Sequence, residues 1–216
     1  MTILRSREFY SGKVTMCEFT YSMAIQTVGV LGTLLIAVLA IWGEQIRHYV
    51  AGPKLRIRLH DPGGGLTTFT NGTKARYHLF VENRRPHAPA TRVKVMMREY
   101  HICGPDSNFI RDAAHIPIQL QYAFPNDPSH DPRPTIGSPA LCDIGLVREG
   151  ENFRFTTYIT PNTFKHVIER NERVRIFVRA EANNALSNRL GLEIAWSGHW
   201  KEDTQQMAKN LVIREI

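Results

Sequence analysis

Cysteine is scarce in this chain: Cys17, Cys103 and Cys142 are the only three among 216 residues. So odd and sparse a set argues against a disulfide framework and points to a reducing compartment. Catalytic signatures are missing too. No C-x-x-C, H-x-x-x-H or H-E-x-x-H spacing presets a metal geometry, although His101, Cys103, Asp106, Asp112, His115, Asp127, His130, Asp131 and Cys142 are ligand-capable types. The Asp and His residues around Pro128 to Asp131 read as turn formers. Gly63 to Gly65 lack the lysine and helix of a phosphate loop, and Ser138 has no nucleophile elbow around it. The sequence therefore predicts no enzyme, no cofactor and no metal site.

What the chain does have is one long apolar run, Met23 to Trp42, inside an uncharged window bounded by Glu18 and Glu44. At 1.5 Å rise per residue, about 20 helical residues cover roughly 30 Å, the hydrocarbon thickness of a bilayer. A cleaved secretory signal would have a shorter apolar region and an A-x-A-like site, whereas Ala37 and Ala40 have the wrong spacing. A transmembrane helix is predicted over residues 23–51, with its last turns outside the bilayer. Gly52 is expected to cap it in a left-handed conformation, and Pro53 to stop it. Residues 1–22 read as a short tail, either disordered or interfacial, with Phe9, Tyr10, Phe19 and Tyr21 suited to the membrane boundary.

Charge sets the expected orientation. Arg5, Arg7 and Lys13 precede the run; Arg47, Lys54, Arg56 and Arg58 follow it closely. The excess on the following side places the C-terminal domain in the cytoplasm. That same set is a candidate contact for an anionic leaflet, and the net charge of +7 fits such attraction. Nucleic acid is not an expected partner, because the basic residues are dispersed and no recognition motif accompanies them. Within the run, Gly29, Thr33 and Ala37 recur every four residues with Ala40 near the same face. Such a stripe lets helix backbones approach closely and marks a candidate homo-oligomer or partner-helix surface.

From residue 54 to the C-terminus the hydrophobic period becomes two. Leu55, Ile57 and Leu59 alternate with Lys54, Arg56 and Arg58. Tyr77, Leu79 and Val81 face one side; so do Val93, Val95 and Met97. Later runs place Phe153, Phe155, Thr157 and Ile159 inward, then Val174, Ile176, Val178 and Ala180, then Leu190, Leu192, Ile194 and Trp196. Asn71-Gly72 signals a hairpin. Seven or eight short strands with polar turns and no long amphipathic helix predict a mainly β protein, an antiparallel β-sandwich. The stretch YHLFVENRRPHAPATRVKVMM, a strand ending V-x-N, a proline turn and a V-x-V strand, resembles the central hairpin of immunoglobulin-like modules in bacterial surface and membrane proteins. The resemblance implies an immunoglobulin-like fold over about 20 residues and carries no functional residue with it.

Residues 103–140 interrupt the pattern with seven prolines, Pro105 to Pro139. Long connections of this kind are often functional. Phe109, Tyr122 and Phe124 are its candidate partner-contact residues. Arg173, Arg175 and Arg179 share a strand face with Phe177 and form a second basic set. The function these features predict is a single-pass, membrane-anchored interaction module whose cytosolic domain binds a partner protein. One alternative is a membrane effector whose packed helices change permeability when the domain binds a ligand. Another is an extracytoplasmic sensor or adhesion domain.

Overall fold

A computed structural model describes residues 11–69, 72–112, 117–123 and 131–216. The chain divides into two units, Met1–Val50 and Ala51–Ile216.

The described part of the first unit lies in one helix, α1 (Ser11–Ala51). It begins earlier than the apolar run, so the described part of the expected tail is helical; residues 1–10, with Arg5 and Arg7, lie outside the described residues. Its stretch Met23–Glu44 has a mean hydropathy of 2.3 and none of it is buried. That length and composition suffice to cross a membrane. The helix stops before Gly52-Pro53, as the proline requires.

The second unit consists of two antiparallel sheets. The first contains β1 (Leu55–Leu59), β2 (Gly65–Phe69), β3 (Gly72–Asn83), β7 (Ala140–Arg148), β8 (Phe153–Phe155) and β9 (Val167–Ile168). Its order is β1-β3-β7-β8-β9, with β2 also on β3. The second contains β4 (Lys94–Cys103), β5 (Phe109–Arg111), β6 (Ile118–Gln119), β10 (Glu172–Glu181), β11 (Leu186–Trp196) and β12 (Leu211–Glu215). Its order is β12-β11-β10-β4-β5, with β6 also on β4.

Alternation carries the core. Leu55, Ile57, Tyr77, Leu79, Val81, Val93, Val95 and Met97 are buried, as are Val174, Ile176, Val178, Ala180, Leu190, Leu192, Ile194 and Trp196. Side chains of both sheets join one apolar cluster. Its aromatic centre sets Tyr100 edge-on to Phe155 and Phe164, at ring separations of 6.0 and 5.4 Å. The period slips once in β4, where the register against β10 shifts between Phe177 and Val178. This bulge lets Tyr100 point inward after Met97.

Two expectations fail at β8. The strand ends at Phe155, and Ile159 is 70% exposed. Past Thr156 the chain leaves β7: Thr157 bridges Leu120, and the Tyr158 amide donates to the Gln119 carbonyl. Segment 118–123 thereby touches both sheets, because Tyr122 bridges Cys142 of β7 while β6 pairs with β4. At the opposite side, Asn188 of β11 accepts from the Ile57 amide and donates to the Ile57 carbonyl. Glu215 accepts from the Leu59 amide at 2.8 Å. One short helix, α2 (Thr204–Asn210), was not expected; Asp203 caps it by accepting from the Gln206 amide.

The V-x-N motif has a structural use. The Asn83 Oδ1 accepts from the amides of Lys54 and Arg85, and its Nδ2 donates to the carbonyls of Ala88 and Ile136. One buried amide thus satisfies four backbone groups and fixes the turn between β3 and β4.

Candidate functional site

With Val174, Ile176 and Val178 committed to the core, β10 must turn Arg173, Arg175 and Phe177 to the other side. Antiparallel register then gathers charge from the whole sheet. Arg175 stands opposite His101 of β4 and Glu193 of β11, His101 opposite Arg111 of β5, and Glu193 opposite Arg214 of β12. The result is one cross-strand row, Arg111–His101–Arg175–Glu193–Arg214.

Glu193 holds the row together. Although it lies on the outer face, it is only 4% exposed. The Arg175 guanidinium donates to one oxygen at 2.8 Å and Arg214 to the other at 2.5 Å. Burial by itself would push the carboxyl pKa up; the hydrogen bonds and charges of Arg175 and Arg214 overcome that and hold it below the ordinary value.

Aromatic rings support the arginines. The Arg175 guanidinium carbon lies 3.8 Å from the Phe109 ring centroid, and that of Arg189 lies 4.1 Å from Phe177. Arg189 also donates to Glu99 at 2.8 Å, and the same glutamate contacts His101 Nε2 at 3.2 Å. Gly191, opposite Phe177, makes room for the ring: a Cβ there would sit 2.9 Å from Phe177 Cε1 and from Ile216 Cγ1. Arg173 donates to the Cys103 sulfur at 3.3 Å. On this face Arg111, Arg173, Arg175, Arg179, Arg189 and Arg214 outnumber the carboxylates Glu99, Glu181 and Glu193, so the face is net positive. Stacking and ion pairing hold the planar forks in place, which is the arrangement that recognises carboxylates.

The outer face of the first sheet also carries a buried carboxylate, Asp143, 2% exposed. Arg76 donates to it at 3.4 Å and His78 lies 3.1 Å away. Cys142 beside it is buried, and burial pushes its thiol well above the ordinary value. Among the described residues, no three His, Cys, Asp or Glu side chains gather to hold a metal.

The residues singled out from the sequence are spread over the two units. Gly29, Thr33, Ala37 and Ala40 are exposed on α1, where the Thr33 hydroxyl donates to the Gly29 carbonyl at 2.9 Å. Arg47 is exposed on the same helix. In the β domain the Lys54 amide is held by Asn83, Arg56 pairs with Glu82 at 3.8 Å, and Arg58 stacks on Phe80 at 4.7 Å. Phe109 is half-buried beneath Arg175. Tyr122 is 4% exposed and belongs to the core, so it presents no contact surface. Phe124, like Asn71, His115, Asp127 and His130, lies outside the described residues. Asp131 is a turn residue, its carboxylate accepting from the Arg133 amide. Sequence reading missed Arg111, Arg189, Glu193 and Arg214. The signal for Arg189 and Glu193 was present, since they alternate with buried Leu190, Leu192 and Ile194.

Comparison with protein families, with characterised proteins and with solved structures returned no match.

Proposed function

We propose that this chain is a single-pass, membrane-anchored interaction module whose β domain docks an acidic partner protein on the arginine-lined face of the second sheet. The observation that carries it is the uncovered apolar helix Met23–Glu44 joined in one chain to a β domain with its own core. Among the described residues the domain offers ordered guanidinium forks and no catalytic constellation, which favours recognition over chemistry.

The strand order supports an immunoglobulin-like reading of the sandwich. Strands β1-β3-β7 against β4-β10-β11 follow the A-B-E and C-F-G succession of that architecture. The domain lies on the cytoplasmic side in this proposal, supported by Arg47, Lys54, Arg56 and Arg58 after the span and by the free thiols of Cys103 and Cys142. The four cations would touch the anionic leaflet, Arg56 less so because Glu82 shares its charge. The stripe Gly29, Thr33, Ala37 and Ala40 would pair copies of the helix within the complex.

Membrane fractionation and crosslinked affinity capture test the reading together. The full chain should remain in the pellet through a carbonate wash. Arg173→Glu combined with Arg189→Glu should reduce the captured partner by about tenfold, the reach of reversed charges at an interface, without changing fractionation. A chain released to the supernatant overturns the anchor; undiminished capture overturns the docking face.

A further inference from the structure

An open polar depression of about 310 Å³ lies beside the start of β4, lined by Arg92, Asp131, Pro132, Arg133 and Tyr158, all but Pro132 exposed. Its walls are fixed by backbone. The Val93 amide donates to the Pro134 carbonyl at 2.9 Å, Gln119 Nε2 to the Pro132 carbonyl at 2.9 Å, and the Tyr158 amide to the Gln119 carbonyl. The Asp131 carboxylate turns the chain by accepting from the Arg133 amide at 2.8 Å.

Arg92 stands in this wall with φ of 53°, the left-handed region that a side chain bearing Cβ seldom adopts. Its neighbours enforce the conformation: Asn184 accepts from the Thr91 amide, the Asn183 amide donates to the Thr91 carbonyl, and Pro134 holds Val93. Backbone held in a costly conformation from both sides concentrates at binding sites.

Among the described residues, Arg92 and Arg133 share with Arg111 and Arg154 a guanidinium that reaches no carboxylate. Arg76, Arg98, Arg148, Arg175, Arg189 and Arg214 each reach a carboxylate. Among the described residues, the guanidiniums of Arg92 and Arg133 have no hydrogen-bond or ion-pair partner, yet both line the same cavity. Asp131 adds one carboxylate, leaving the site with a single positive excess.

We propose that this cavity binds a small anion that also carries a hydrogen-bond donor. Arg92 and Arg133 hold a phosphate or carboxylate, for which two planar forks are suited. The Asp131 carboxylate takes a hydroxyl or amino group of the same molecule, and Tyr158, 47% exposed, covers one side. The volume lies at the small end of ligand cavities, sized for an amino acid or a mononucleotide.

The test is titration of the full chain in detergent with inorganic phosphate, adenosine monophosphate and glutamate, followed by calorimetry and by the tyrosine ring signals. Saturable binding of at least one probe is expected, with a Kd on the order of 1 mM or tighter. Binding of the two phosphates but not glutamate identifies a phosphate site; the reverse identifies a carboxylate site. Arg133→Gln should weaken it about tenfold, as the loss of a charged hydrogen-bond fork does. Arg92→Asn should do the same while keeping a residue that tolerates left-handed backbone. Both variants should keep the unliganded melting temperature of the parent. Failure of all three probes to saturate the parent below about 10 mM, or binding that survives both substitutions, overturns the site. Neither substitution touches the arginine-lined face, so loss of ligand and loss of partner are separable results.

Discussion

Two regions of the β domain treat polar groups in opposite ways. Around Asn83 and Glu193 every demand is met from within: Asn83 serves four backbone groups, and Glu193 is closed over by two arginines. Around Arg92 and Arg133, two guanidiniums line a cavity and, among the described residues, have no hydrogen-bond or ion-pair partner. A satisfied buried group stabilises the fold, and its removal orphans its partners. An unsatisfied exposed group contributes little to stability, so its conformation has to be explained by something outside the fold.

Substitution separates the two. Asn83→Ala should have the largest effect, lowering unfolding stability by about 3 kcal/mol, because up to four backbone groups lose a partner near the core. Urea denaturation measures it, and a loss under about 1 kcal/mol would mean that water replaces the amide. Glu193→Gln comes next, at about 1–2 kcal/mol, since the amide keeps shape but loses two charged hydrogen bonds. Its pH signature has a definite sign. The folded-state pKa is lowered, so the stabilisation is present above the unfolded value near 4.5 and is lost as pH falls through the folded value. Parent and Glu193→Gln stability curves should therefore converge in acid; parallel curves down to the acid transition would rule the ion pair out as their cause. Arg133→Gln marks the other end of the comparison: a change within about 0.5 kcal/mol. A larger loss would show that the guanidinium supports the fold after all.

The sequence made the strands legible wherever one side faces the core, because period-two burial leaves a direct trace. Val174, Ile176, Val178 and Ala180 are the clearest instance. The small helix at Thr204 was also readable: Asp203 and Gln206 have the spacing of a cap that the reading passed over. Other features have no local trace. The bulge in β4 depends on the partner strand, so alternation alone carries the pattern past Met97 onto the wrong residues. Tyr122 sits in a proline-rich connection and looks like surface, yet its bridge to Cys142 draws it inside. The cavity unites residues 92, 131–133 and 158, which no spacing rule connects. Half of the arginine-lined face was visible as Arg173, Arg175 and Arg179; Arg111 and Arg214 join only through pairing across five strands.

The side-chain seal at β1 bears on how this domain meets other proteins. Asn188 occupies both hydrogen-bonding groups of Ile57, and Glu215 occupies the Leu59 amide. A foreign strand seeking to extend the sheet there would have to evict these side chains first. That edge is shut against backbone-to-backbone zippering. Whatever reaches that edge meets side chains before it meets free backbone groups.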